Sequence, residues 1–247
     1  MWSITSRELK SLFISPLAWA ILGVVQFILA LAFSNATTLY KQPEVQTSLE
    51  MMANPPGLTY FLVGNLYGMA SIVLLLVMPL LTMRLISDER RNKTLPLLLT
   101  APISMRGIIF GKFFGLVSFF AIMLGMITLI PLALFLGSPL DFGQIASAAL
   151  GMILLIAAFT AIGLYISTLT AYPTVAAIYT FGVLFLLWIV DWIGEMTESP
   201  LWMYLSIQHH FHPLLTGLFS TENVIYFLLL TLLFLILSIH RLDSDRL

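Results

Sequence analysis

Three histidines within four residues, His209, His210 and His212, are the first side chains in this chain that could do chemistry. Imidazole is a common ligand for divalent metals. The sequence has no cysteine, and no well-placed acid completes a coordination set. The cluster is therefore read first as headgroup-level side chains on an interfacial segment, with a metal site as the alternative. Haem ligation needs histidines at matched depth on facing helices, which His209, His210, His212 and His240 do not provide. Ser118, Ser147 and Ser167 could serve as nucleophiles only beside a positioned base; none has a His partner, and their hydroxyls are expected to bond to backbone carbonyls. Gly111-Lys112 superficially matches a phosphate loop, yet it lacks the spacing and the following Ser or Thr. Gly107, Gly111 and Gly115 fall instead on one face of a helix, a spacing that lets a neighbouring helix approach closely. No catalytic constellation emerges.

The elements that carry these residues are set by composition. Of 247 residues, 60% are hydrophobic and 9% charged, with a mean hydropathy of +1.00. Soluble domains carry roughly 25% charged residues, so the chain is read as an all-α integral membrane protein. Its apolar runs give six spans, at about 17–39, 58–86, 107–136, 143–170, 174–193 and 223–240. A signal peptide is set aside for the first, because its apolar run is longer than the ~7–15 residues of a signal core. Residues 2–14 form an amphipathic surface helix, with Trp2, Leu9, Leu12 and Phe13 on one side and Arg7 and Glu8 opposite; Lys10 is its third charge. Residues 34–57 read as a loop. Residues 194–222 are too polar to span and too apolar for a free loop, so a re-entrant or interfacial outer-face hairpin is expected. Gln26 and Asn65 are expected to hydrogen-bond between helices. No polar stretch is long enough for a soluble core of its own.

Charge fixes the orientation. Six spans put both termini on one side, together with ten basic and five acidic residues; the other side holds Lys41 and seven acids. The positive-inside rule places the termini and the connector 87–106 in the cytoplasm. Ionisable groups avoid the middle of every span, whereas proton-coupled carriers and voltage sensors need them there. A self-sufficient carrier therefore ranks below a transport-complex subunit and below a membrane anchor or scaffold.

The stretch from Arg84 to Gly115 organises the chain, with eight of the 23 Asp, Glu, Lys and Arg residues. Ser87-Asp88-Glu89-Arg90, then Thr94-Leu95-x-Leu97-Leu98-Leu99-Thr100-Ala101-Pro102, then Gly111-Lys112-Phe113, resembles the signature of ABC-2-type permeases, the membrane subunits of ABC exporters. Arg7-Glu8-Leu9-x-x-x-Phe13-x-Ser15-Pro16 fits too, as do His210-Phe211, Gly217-Leu218-Phe219 and Val224-Ile225-Tyr226-Phe227. The likeness is greatest to the gliding-motility permeases and their relatives, including the permease that matures nitrous-oxide reductase. The chain departs from the family at Lys93-Thr94-Leu95-Pro96, where Gly-Thr, then Leu or Ile, then Glu or Gln is usual. Pro96 lacks an amide donor, which puts a helix start at the proline.

The resemblance implies a non-catalytic subunit of a bacterial inner-membrane complex. It would pair with a second permease, identical or a paralogue, and with two cytoplasmic ATPase subunits that bind ATP and Mg. Residues 88–101 would be the coupling segment: Asp88, Glu89, Arg90, Arg91 and Thr94 would supply polar contacts to the ATPase, and Leu97, Leu98 and Leu99 the packing. The surface helix, with Arg7, Glu8 and Lys10, would add a second contact. Lipid and an outer-face periplasmic protein are further expected partners; nucleic acid is not.

Overall fold

The computed structural model describes residues 2–51, 57–95, 104–132, 141–197 and 200–245. Among them the chain is helical apart from the turns between helices, and no strand occurs. In order the helices are α1 (Trp2–Ile14), α2 (Pro16–Tyr40), α3 (Pro43–Glu50), α4 (Leu58–Thr82), α5 (Ser87–Arg91), α6 (Met105–Leu132), α7 (Phe142–Leu169), α8 (Pro173–Thr197), α9 (Pro200–Leu205), α10 (Ile207–Leu215) and α11 (Thr221–Ser244). Six of these, α2, α4, α6, α7, α8 and α11, are long and apolar enough to cross a bilayer. A bilayer core of ~30 Å needs about 20 helical residues, and each of the six exceeds that.

α7 is the hub. It packs against α4, α6, α8, α10 and α11, and its buried face alternates small residues (Gly151, Ala158, Ala161, Gly163) with Leu155, Ile162 and Phe159. In lipid, helices gain little from burying apolar surface against one another, so close approach of small residues supplies the packing. Asp141 starts the helix: its Oδ1 accepts from the amides of Gly143 (2.8 Å) and Gln144 (3.3 Å), satisfying two donors that a helix N-terminus leaves open.

Two segments differ from the sequence reading. Residues 34–40 continue α2, in keeping with a first span to about 39 and not with a loop from 34, and α3 follows them. Thr37 and Thr38 return their hydroxyls to the Ser34 carbonyl at 2.7 and 2.9 Å, so these two side chains bond within the helix and do not pull its backbone open. The second span also stops at Thr82 rather than Ile86. A turn over 83–86 then reorients the chain into α5. As expected, Gln26 bonds between helices, donating to the Met123 carbonyl at 3.1 Å. Asn65 is exposed on a groove between α2 and α4 that it shares with Asn35.

Candidate functional site

Within the charged stretch singled out above, Ser87–Arg91 form α5, a single helical turn tied to α1, α6, α7 and the tail. Its N-terminal end is capped by a side chain 80 residues away. Ser167, fully buried near the end of α7, accepts from the amides of Ile86 (3.0 Å) and Ser87 (3.1 Å) and donates to the Met83 carbonyl (3.1 Å). The Ser87 hydroxyl also donates to Met83. The approach that allows this is set by Gly163, where a Cβ would run into the side chain of Thr82.

Two ion-pair clusters fix the rest of α5. Lys112, on α6, is 2% exposed and places its Nζ 3.0 Å from Glu8 Oε1 and 2.9 Å from Glu89 Oε1. Arg7 closes the group, with Nη2 3.4 Å from Glu8 and 4.0 Å from Glu89. A buried ammonium is expensive unless it is paired, and here two carboxylates share it. The second cluster joins α5 to the hub and the tail. Arg90 donates to the Thr168 carbonyl at 3.0 Å and pairs with Asp245, which Arg241 also approaches at 3.8 Å. A cation at the last carbonyls of α7 also suits that helix's dipole.

The N-terminal helix is part of the same construction. α1 lies along α6, and Gly115 sets the contact: a Cβ there would come 2.8 Å from Glu8 Cβ. Of the three stacked glycines, Gly111 and Gly115 are buried and Gly107 half-buried; at Gly115 the helix admitted is α1, not another span. The face of α1 is also rotated from the sequence reading. Ile4 and Thr5 are buried with Glu8 between them and Leu12, whereas Trp2 is 85% exposed. Glu8 turns inward because Lys112 is there to meet it. Lys10 is exposed.

Of the expected coupling residues, Glu89 and Arg90 are thus engaged within the chain. Asp88 is half-buried, and Arg91 and Thr94 are exposed. Leu97, Leu98 and Leu99, like Pro96, lie outside the described residues. Lys93, one of the departures from the family pattern, has φ 57°, in the left-handed region where glycine is favoured. Sequence reasoning missed Ser167 as a cap and Asp245 as a partner.

At the opposite end of the bundle the histidines do not converge. His210 is buried, its ring nitrogens paired with Asn223 Oδ1 (2.8 Å) and the Tyr204 carbonyl (3.1 Å), and its ring stacks on Tyr226 at 4.0 Å. His209 and His212 are exposed. Ser206 caps α10 by accepting from the His209 amide and donates to Asp191 Oδ1 at 2.6 Å, which ties α9 and α10 to α8.

Six apolar spans make this a multi-pass membrane protein whose two ends and second connector meet at one charged pole. A family model described as ABC-2 family transporter protein matches residues 2–247, and the chain belongs to that family. Membership makes it the membrane subunit of an ABC transporter and implies an ATPase partner. A comparison with curated proteins finds no match.

Proposed function

We propose that this subunit couples ATP hydrolysis by a separate cytoplasmic ATPase to movement of its spans, through α5 and the connector that follows. The observation that carries this reading is the clamping of α5. One helical turn is bound to α1 and α6 through Glu8–Lys112–Glu89, to α7 through Ser167 and Arg90, and to the tail through Asp245. Force applied at that turn would pass to both termini and the central helix through these contacts, an arrangement suited to switching between two positions.

On this reading the charged pole faces the cytoplasm of a bacterium, and the complex holds two permeases and two ATPases, which bind the ATP and Mg. A recess among α4, α7, α8 and α10 has room for about 10 Å³, about one water. On this reading the work is done along a route between two permeases, or as force transmitted to an outer-face protein. The α9–α10 hairpin lies at the outer interface, where Trp192, Trp202 and Tyr204 suit headgroup depth.

Purification with native partners, followed by ATP hydrolysis measured against candidate ligands, tests this. A co-purified ATPase whose rate responds to the permease supports it. A fully active assembly with no nucleotide-hydrolysing chain overturns it in favour of an anchor or scaffold.

A further inference from the structure

We infer that the groove between the start of α7 and the connector from α10 to α11 binds a phospholipid whose headgroup carries a primary amine. The groove holds about 410 Å³. Asp141, Ala146, Ser147 and Leu150 line one wall, and Gly217 and Phe219 stand on the other. Both walls are held in place. Buried Gln144 donates to the Leu215 carbonyl at 3.1 Å, which pins the connector to α7. The Asp141 amide donates to Thr59 Oγ1 at 3.1 Å, which pins the start of α7 to α4.

The chemistry along the groove runs in the order of a lipid. Asp141 is exposed at the rim. Its Oδ1 accepts the amides of Gly143 and Gln144, and no described residue bonds its Oδ2. Ser147 lies about 9 Å deeper, at roughly 1.5 Å per helical residue. A serine on a span ordinarily returns its hydroxyl to a carbonyl one turn back. Ser147 departs from this habit: its Oγ is buried and has no partner among the described residues. Such a group asks for an acceptor from outside the chain. Ala146 and Leu150 are exposed, and on a span exposed side chains meet acyl chains. The polar layer on each side of a bilayer is about 5–8 Å deep. An ammonium at Asp141 therefore puts an ester carbonyl near Ser147 and the acyl chains along Leu150 and Phe219.

Charge selects the headgroup. This end of the bundle carries Lys41 and seven acids, and among the described residues none of those acids is in an ion pair. Such a field repels an anionic lipid. A quaternary amine has no N–H to give the carboxylate, and no Trp or Tyr lines the groove to cage it. A primary ammonium meets Asp141 with a charge-assisted hydrogen bond.

Native mass spectrometry of the purified full permease in detergent tests this, with equal amounts of phosphatidylethanolamine, phosphatidylcholine and phosphatidylglycerol added. Wild type should retain the ethanolamine lipid roughly three- to tenfold over the other two. Asp141→Asn keeps a capping oxygen and should erase the preference. Ala146→Phe fills the groove from its lipid side and should erase it too, at an unchanged melting midpoint. Glycerophosphoethanolamine, the headgroup without chains, should compete at least roughly tenfold more weakly than the intact lipid, because it buries no acyl surface. Equal retention of the three lipids by wild type overturns the inference, as does a preference that survives in both variants. Equal competition by the chain-free headgroup overturns it in favour of a soluble amine. The readout needs neither an ATPase nor a membrane leaflet, so its failure leaves the functional reading standing.

Discussion

Replacing Lys112 with methionine removes one charge from the middle of the chain's most buried ionic cluster while keeping an unbranched side chain of similar length. Glu8 Oε1 and Glu89 Oε1 each touch the same Nζ, at 3.0 and 2.9 Å, so they lie no more than about 6 Å apart. With the ammonium gone, two carboxylates face each other at that separation. At an effective dielectric of ~20 their repulsion is about 3 kcal/mol. Their side chains are 18% and 21% exposed, and Arg7 stays nearby, so screening takes part of this away. Removing one partner of a buried pair costs about 3–5 kcal/mol, and partial exposure places this site at or below the low end. We expect Lys112→Met to lose about 2–3 kcal/mol, or roughly 5–10 °C of melting midpoint for a chain of this size. The assay is thermal unfolding of the purified permease in one fixed detergent. Adding Glu89→Gln to the same protein should recover part of the loss, because one negative charge then disappears. A single variant as stable as wild type, or a double variant no better than the single, would refute the reasoning that Lys112 neutralises both glutamates.

Ser167→Ala strips the cap from α5 and leaves the amides of Ile86 and Ser87 without their acceptor; at about 1–3 kcal/mol for buried unsatisfied groups, amide exchange over 83–91 should accelerate while the N-terminal half of α7 stays protected. Gly115→Val forces α1 away from α6, since its first carbon already meets Glu8 Cβ at 2.8 Å; protease cleavage within residues 2–14 should become easier at an unchanged fold of the spans, and unaltered cleavage would count against the close contact.

Much of the architecture was readable because a bilayer leaves helices few alternatives. Runs such as Leu58–Thr82 and Phe142–Leu169 announce spans by length and apolarity alone, and the cluster from Arg84 to Lys112 announces the charged pole. The readings that failed depended on neighbours distant in sequence. Glu8 belongs on the polar side of α1 by periodicity, and it turns inward only because Lys112, 104 residues later, lies beneath it. Ser167 was expected to bond a carbonyl, which it does, but the carbonyl belongs to Met83 and the same oxygen caps α5. Arg90 and Asp245, 155 residues apart, carry no local signal of their pairing. The histidine cluster misleads in a simpler way. Its spacing on α10 turns His210 into the bundle, toward Asn223 and Tyr226, and leaves His209 and His212 outside.

The central claim is that a separate ATP-hydrolysing protein grips the turn at the end of α5. A photo-crosslinking amino acid placed at position 91, in membranes that retain the native partners, asks this directly. The account predicts a product joining the permease to a nucleotide-hydrolysing subunit, with a yield that changes when hydrolysis is blocked. Products formed only with proteins on the far side of the membrane, or with none that hydrolyses nucleotide, would contradict it.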